Sequence, residues 1–128
     1  MSFKRFNFKG RSFVPRVTIN KIGNLALNSA AQTRFGLSEY KYAVLFYDAD
    51  TARVGIILTN DSKEEGRRTL RQRPTGADIS ASAFLDYFEI PRTEARTFDL
   101  SKDDQTGYLV FNTRRGRQRG RRRQAATA

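Results

Sequence analysis

The sequence predicts an α+β domain, mostly β: a small antiparallel sheet or barrel of hairpins with two short helices. Three observations predict it. Apolar and polar residues alternate in short runs, the period-2 pattern of half-buried strands. Clusters of Gly, Asn and Asp separate the runs, and these residues make turns. Helical spacing appears only in residues 29–34 and 79–88. The chain has 128 residues, which suits one domain with a basic arm at each end. Its core is small, and modules of this size often complete a core by dimerising.

Residues 1–13 interleave Phe3, Phe6, Phe8 and Phe13 with Lys4, Arg5, Lys9 and Arg11. They read either as an arm that stacks on bases and holds phosphates, or as a first strand with Phe6 and Phe8 on one face. In residues 17–20, Val17 and Ile19 share a face opposite Arg16, Thr18 and Asn20. Pro15 precedes this strand, where a missing N–H does least harm. Residues 21–24 form a turn, with Gly23 and Asn24 able to take positive φ, and Leu25 and Leu27 resume the apolar face in 25–28. Asn28 or Ser29 caps a helix of about two turns, which Gly36 ends. Residues 42–47 are almost wholly apolar, which predicts a strand buried on both faces or set in a dimer interface. Asp48 to Ala52 form an acidic turn whose carboxylates suit local backbone bonding better than a metal. Residues 54–58 close the second hairpin.

Residues 61–78 read as a charged loop, with irregular strand pairing as the alternative and Leu70 their sole large apolar side chain. Ser80 then caps a helix over 79–88, and Ala81, Phe84, Leu85 and Phe88 form one stripe that faces the core. Residues 97–100 and 108–112 form a third hairpin, with Leu109 and Phe111 on one face. From Thr113 onward no apolar period remains, so the tail is expected to be disordered in isolation. The organisation is therefore an arm (1–13), one domain (14–112) and a tail (113–128). Within the domain lie a module at 16–60, the loop at 61–78, and a helix plus hairpin at 79–112.

Net charge is +11, from 24 Lys and Arg against 13 Asp and Glu, and it is segregated. Residues 1–38 hold seven basic side chains and no acid, and residues 114–128 hold seven arginines and no acid. The middle, 39–113, holds ten basic and thirteen acidic side chains. Such segregation suits a polyanion, because each cation placed on a phosphate releases a counterion. The candidate contacts are Arg5, Lys9, Arg11, Arg16, Lys21 and Arg34, then Arg114, Arg115, Arg117, Arg119, Arg121, Arg122 and Arg123. Phe3, Phe6 and Phe8 are candidates for base stacking.

The chain has no Cys and no His, which excludes disulfides, zinc fingers, Cys nucleophiles and Ser-His-Asp triads. The acid pairs Asp48/Asp50, Glu64/Glu65 and Asp103/Asp104 lie in predicted turns or loops without a phosphate loop nearby. No catalytic residue, metal or cofactor is assigned, and a non-enzymatic protein is expected. No apolar run is long enough to span a membrane, and the first residues lack a signal-peptide apolar core. A cytoplasmic location is expected, nucleoid-associated in a bacterium.

Residues 16–60 resemble the swapped-hairpin domain of the AbrB/MazE/SpoVT type. The resemblance rests on Val17–Ile19 with Lys21-Ile22-Gly23, on Leu25-Ala26-Leu27, on residues 31–37, and on two strands at 44–48 and 54–58 around an acidic turn. Two positions depart from that pattern: Asn24 replaces the Arg that follows the turn Gly, and Asn28 replaces the Pro that opens the helix. The resemblance implies a DNA-binding homodimer of regulatory type in which Arg16, Lys21 and Arg34 approach the duplex. A second similarity is to the small dimeric single-strand-binding coactivator fold, a curved sheet with a helix and a basic tail. Nucleic acid is thus the expected partner, DNA ahead of RNA. The alternatives are a single-strand or RNA binder, and a structural or interaction protein of a phage or nucleoprotein particle with a protein partner.

Overall fold

A computed structural model describes residues 14–118, the last two by backbone alone. β1 (Arg16–Ile19) and β2 (Asn24–Leu27) form the first hairpin, with Val17 opposite Leu27 and Ile19 opposite Leu25. Helix α1 (Ser29–Phe35) follows, and Asn28 caps it: its Oδ1 accepts from the Ala31 N–H at 3.0 Å. Gly36, in the left-handed region at φ 62°, ends the helix. After a 3-10 turn at Leu37–Glu39 come β3 (Tyr42–Asp48) and β4 (Arg53–Thr59). Then follow β5 (Arg68–Arg73), β6 (Gly76–Ser80), α2 (Ser82–Tyr87), β7 (Arg96–Asp99), β8 (Ser101–Lys102) and β9 (Leu109–Asn112). A second 3-10 turn, Thr113–Arg115, leads into β10 (Arg117–Gln118).

All strand pairs are antiparallel, in the order β10-β7-β1-β2-β6-β5-β3-β4-β9-β8. β7 and β8 are separated in sequence only by Leu100, yet β8 ends this order on one side and β7 lies next to the two-residue β10 that ends it on the other. The sheet therefore curls until one bent strand joins its two ends, giving a nearly closed barrel. Val17, Ile19, Leu25, Leu27, Val54, Ile56, Leu70 and Ile79 point inward, and Leu37, Leu85, Ile90 and Leu100 plug the barrel. At the seam the Phe98 and Phe111 rings meet with centroids 5.1 Å apart.

The α+β, mostly β expectation is met, and five elements differ from the sequence reading. The charged loop over 61–78 is a hairpin in its second half: Arg71 pairs opposite Asp78, and Arg71 and Arg73 place Nε at 2.7 and 2.8 Å from the two Asp78 carboxylate oxygens. Helix α2 starts later than expected, because Ile79 and Ser80 complete β6. Ala81 then holds the cap position, with no side-chain cap bond. Of the expected stripe, Ala81 and Leu85 are fully buried while Phe88 is 37% exposed. The third hairpin is split: β7 pairs with β1, and only β8 pairs with β9. Finally, residues 113–118 of the expected disordered tail carry the 3-10 turn and β10, which pairs with β7. A Cβ on Gly116 would overlap the Phe98 ring, so only glycine lets the chain cross there. The strand at 42–47 buries Ala43 and Val44, which lie on opposite faces, but Phe46, on the Val44 face, is 41% exposed.

The barrel is built from one unit used twice. β1-β2-α1-β3-β4 corresponds to β5-β6-α2 followed by the bent strand β7–β8 and β9. Exchanging the halves preserves every pairing except β10·β7: β1·β2 becomes β5·β6, β3·β4 becomes β8·β9, and β3·β5 becomes β7·β1. The β2·β6 and β4·β9 pairs map onto themselves, which marks an approximate twofold relation. The positive-φ residues agree, since Gly23 matches Gly76, Gly36 matches Glu89, and Ala52 matches Gly107. The hairpins are exchanged between halves. The Gly23 carbonyl accepts from the Ala81 N–H at the start of α2, and Gln32 of α1 donates to the carbonyls of Arg73 and Gly76.

Candidate nucleic-acid interface

The structure brings two of the candidate cations together. Arg16 opens β1 beside β7, and its Nε lies 3.1 Å from Asp99 Oδ1. Asp99 borders a groove of about 390 Å³ on the outer face of β4, β9 and β8, and Arg53 and Arg115 line the same groove with Asn112 and Ser101. The turn that carries Arg115 is fixed by local bonds of its neighbours. The N–H and hydroxyl of Thr113 both donate to the Ala52 carbonyl, at 2.8 and 2.9 Å, and Asn112 Oδ1 accepts from the Arg114 N–H at 2.8 Å. Arg16 thus pairs with Asp99, whose side chain is 69% exposed, and two further guanidiniums line the groove that Asp99 borders. An exposed pair of this kind contributes little to stability, so a phosphate can take over the arginine at small cost.

The other candidates stand apart from this groove. Lys21 is exposed in the β1–β2 turn, and its carbonyl accepts from Arg92 Nη1 at 2.9 Å. Arg34 is exposed in the last turn of α1 and lines a different, larger cleft of about 650 Å³. Arg114 is exposed beside Arg115. Arg5, Lys9, Arg11, Phe3, Phe6 and Phe8, and also Arg119, Arg121, Arg122 and Arg123, lie outside the described residues, as does the side chain of Arg117.

Several further arginines are committed to carboxylates. Arg71 and Arg73 hold the buried Asp78, Arg92 contacts Asp86 at 3.2 Å, and Arg96 contacts Glu94 at 3.2 Å. Arg67 instead lies over the Tyr42 ring at 5.5 Å. Glu64 and Glu65 are exposed.

Sequence reasoning missed Arg53 and Lys102, which sit among neutral or acidic neighbours. The signal that marks them is the repeated acidic turn, where Asp48-x-x-Thr51 matches Asp103-x-x-Thr106. In both turns the carboxyl is held below its ordinary value of 3.8, chiefly by the threonine side chain, with the Arg53 charge adding to it. Among the described residues, no group of three His, Cys, Asp or Glu is placed to hold a metal, and no helix is long and apolar enough to cross a membrane. Comparisons with protein-family models, curated proteins and solved structures return no match.

Proposed function

We propose that this chain is a non-enzymatic nucleic-acid-binding protein, a DNA binder of AbrB-like regulatory type that holds the phosphate backbone through its basic arms. One observation carries the reading: fourteen cations and no acid lie in the two terminal segments, 1–38 and 114–128, of a chain whose middle is net acidic. Two features support it. The groove formed by Arg53, Asp99 and Arg115, with Arg16 on the same Asp99, lies where the C-terminal arginine run leaves the barrel, so backbone contacts can continue from the fold into the tail. The order β-β-α-β-β in residues 16–59 is also the one that the swapped-hairpin resemblance implies.

The homodimer of the sequence reading takes an altered form in this proposal. A swapped-hairpin dimer exchanges hairpins between two chains, and here the exchange occurs between two halves of one chain. A single chain therefore supplies the twofold module.

The test is fluorescence anisotropy of labelled duplex DNA against salt. With about six or more phosphate contacts, affinity is expected to fall about 10³-fold between roughly 50 and 200 mM salt. Arg53→Ala and Arg115→Ala are each expected to lower the salt slope by about 1 while weakening all sequences alike. Binding that stays flat across the titration would overturn the reading. Parallel single-stranded DNA and RNA probes test the alternative. The Phe46 and Tyr108 rings, stacked at 5.3 Å on the outer face of the sheet, favour a single strand over a duplex there.

A further inference from the structure

The twofold relation calls for two equivalent spaces, one beside the end of each helix. They differ in size: the pocket beside α2, lined by Phe84, Tyr87 and Phe88, is about 240 Å³, and the cleft beside α1 is about 650 Å³. Counting back from the left-handed residues Gly36 and Glu89, Arg34 and Phe35 of α1 match Tyr87 and Phe88 of α2. In the matching acidic turns, Lys102 corresponds to Tyr47. Beside α2 the rings close on each other: Phe88 lies 5.1 Å from Tyr47, 5.2 Å from Phe84 and 4.8 Å from Tyr87. Beside α1 two of those positions hold cations, and the space is the cleft of about 650 Å³.

Its walls are of two kinds. Phe35, Tyr40 and Tyr108 supply aromatic surface, Arg34 and Lys102 supply positive charge, and no carboxylate lines it. Gly55 makes room for Tyr108, since a Cβ there would come within 2.9 Å of that ring. Neither Arg34 nor Lys102 has an ion-pair partner among the described residues. Two like charges around one cavity with no answering acid disfavour the empty site and favour an anion in it. The volume lies within the usual range of small-ligand sites, about 300–1,000 Å³.

We propose that this cleft binds a nucleotide, with the base against the aromatic wall and the phosphate on Arg34 and Lys102. The nucleotide is either a free mononucleotide or one unit of a single strand. This goes beyond backbone contacts by the arms, because the cleft recognises a base and a phosphate together and needs neither arm.

The test uses the full chain, titrated with adenosine monophosphate, adenosine, inorganic phosphate and a short oligothymidylate, and followed by amide NMR shifts. Adenosine monophosphate is expected to saturate, with shifts centred on Arg34, Lys102 and Tyr108. Adenosine or phosphate alone is expected to bind at least about tenfold more weakly, because each keeps only one of the two kinds of contact. The double variant Arg34→Glu/Lys102→Glu is expected to lose at least about tenfold while its melting temperature holds, since both side chains are exposed and have no ion-pair partner among the described residues. Lys102→Tyr, which installs the residue of the narrower half, is expected to fill the space and abolish binding. If the variants weaken the mononucleotide, the free-nucleotide source is supported; if they weaken only the oligonucleotide, the strand source is. If they weaken neither, the proposal is overturned. The nucleic-acid reading fails separately, by absence of salt-dependent oligonucleotide binding to the unaltered chain.

Discussion

Thr51 and Thr106 perform the same task in two turns. Thr106 donates from its hydroxyl at 2.6 Å and its N–H at 2.9 Å to Asp103 Oδ2, and Thr51 bonds Asp48 in the matching way. Each bond favours the ionised carboxyl, so both pKa values lie below 3.8. A pKa depressed in the folded state contributes stability above the unfolded value, and that stability is lost as pH falls through the folded value. Thr106→Val is therefore expected to raise the Asp103 pKa toward 3.8 and to flatten the acid limb of the stability profile. A carboxyl-carbon NMR titration checks this, and an unmoved Asp103 pKa would refute the threonine's role. Residues with local duties such as these are legible in the sequence. Asp48 in its turn, Asn28 at its cap and Gly36 at its C-terminus all act on neighbours in the chain. Asp78 is not legible. It is 8% exposed only because Arg71 and Arg73, on another strand, cross over it.

The same contrast governs the elements. β1, β2, α1, β3 and β4 follow the sequence pattern closely, since each has its own period and its own turn. β5 has a single large apolar residue, Leu70, and is a strand because β6 and β3 lie on either side of it. The sequence pattern pairs β7 with β9, but β1 lies nearer and takes its hydrogen bonds. Sheet partners distant in sequence leave no local trace. The β5–β6 hairpin depends on the carboxylate between its arginines. Asp78→Ala leaves two guanidiniums without their partner, and it is expected to destabilise the fold by about 3 kcal/mol, the lower end for breaking a buried pair because both arginines keep access to water. Arg73→Ala removes the more exposed partner and is expected to cost about 1 kcal/mol. Denaturant melts of the two variants check the order, and equal losses would show that Asp78 does not anchor the hairpin.

At the scale of the whole molecule, the architecture is a duplication that the sequence conceals. The shared residues are few: a glycine in each first turn, a Ser-Ala pair opening each helix, a phenylalanine before each left-handed helix end, and a leucine, an aspartate and a threonine around each acidic turn. The basic termini are plain in the sequence, whereas the groove they meet and the open cleft depend on which strands the barrel brings together. The exchanged hairpins have a mechanical consequence. Each half seals the other, and the only covalent joint between them is the exposed stretch at residues 60–67. Severing that joint should leave two pieces that complement one another. Fragments 1–63 and 64–128 are expected to remain unfolded when produced singly and to co-purify as a folded pair when co-expressed, because neither can bury its own hairpin face. Cooperative melting of either fragment alone would sink the idea. If the pair assembles, a single peptide bond in an exposed loop is all that separates a one-chain barrel from a heterodimer that can be assembled on demand.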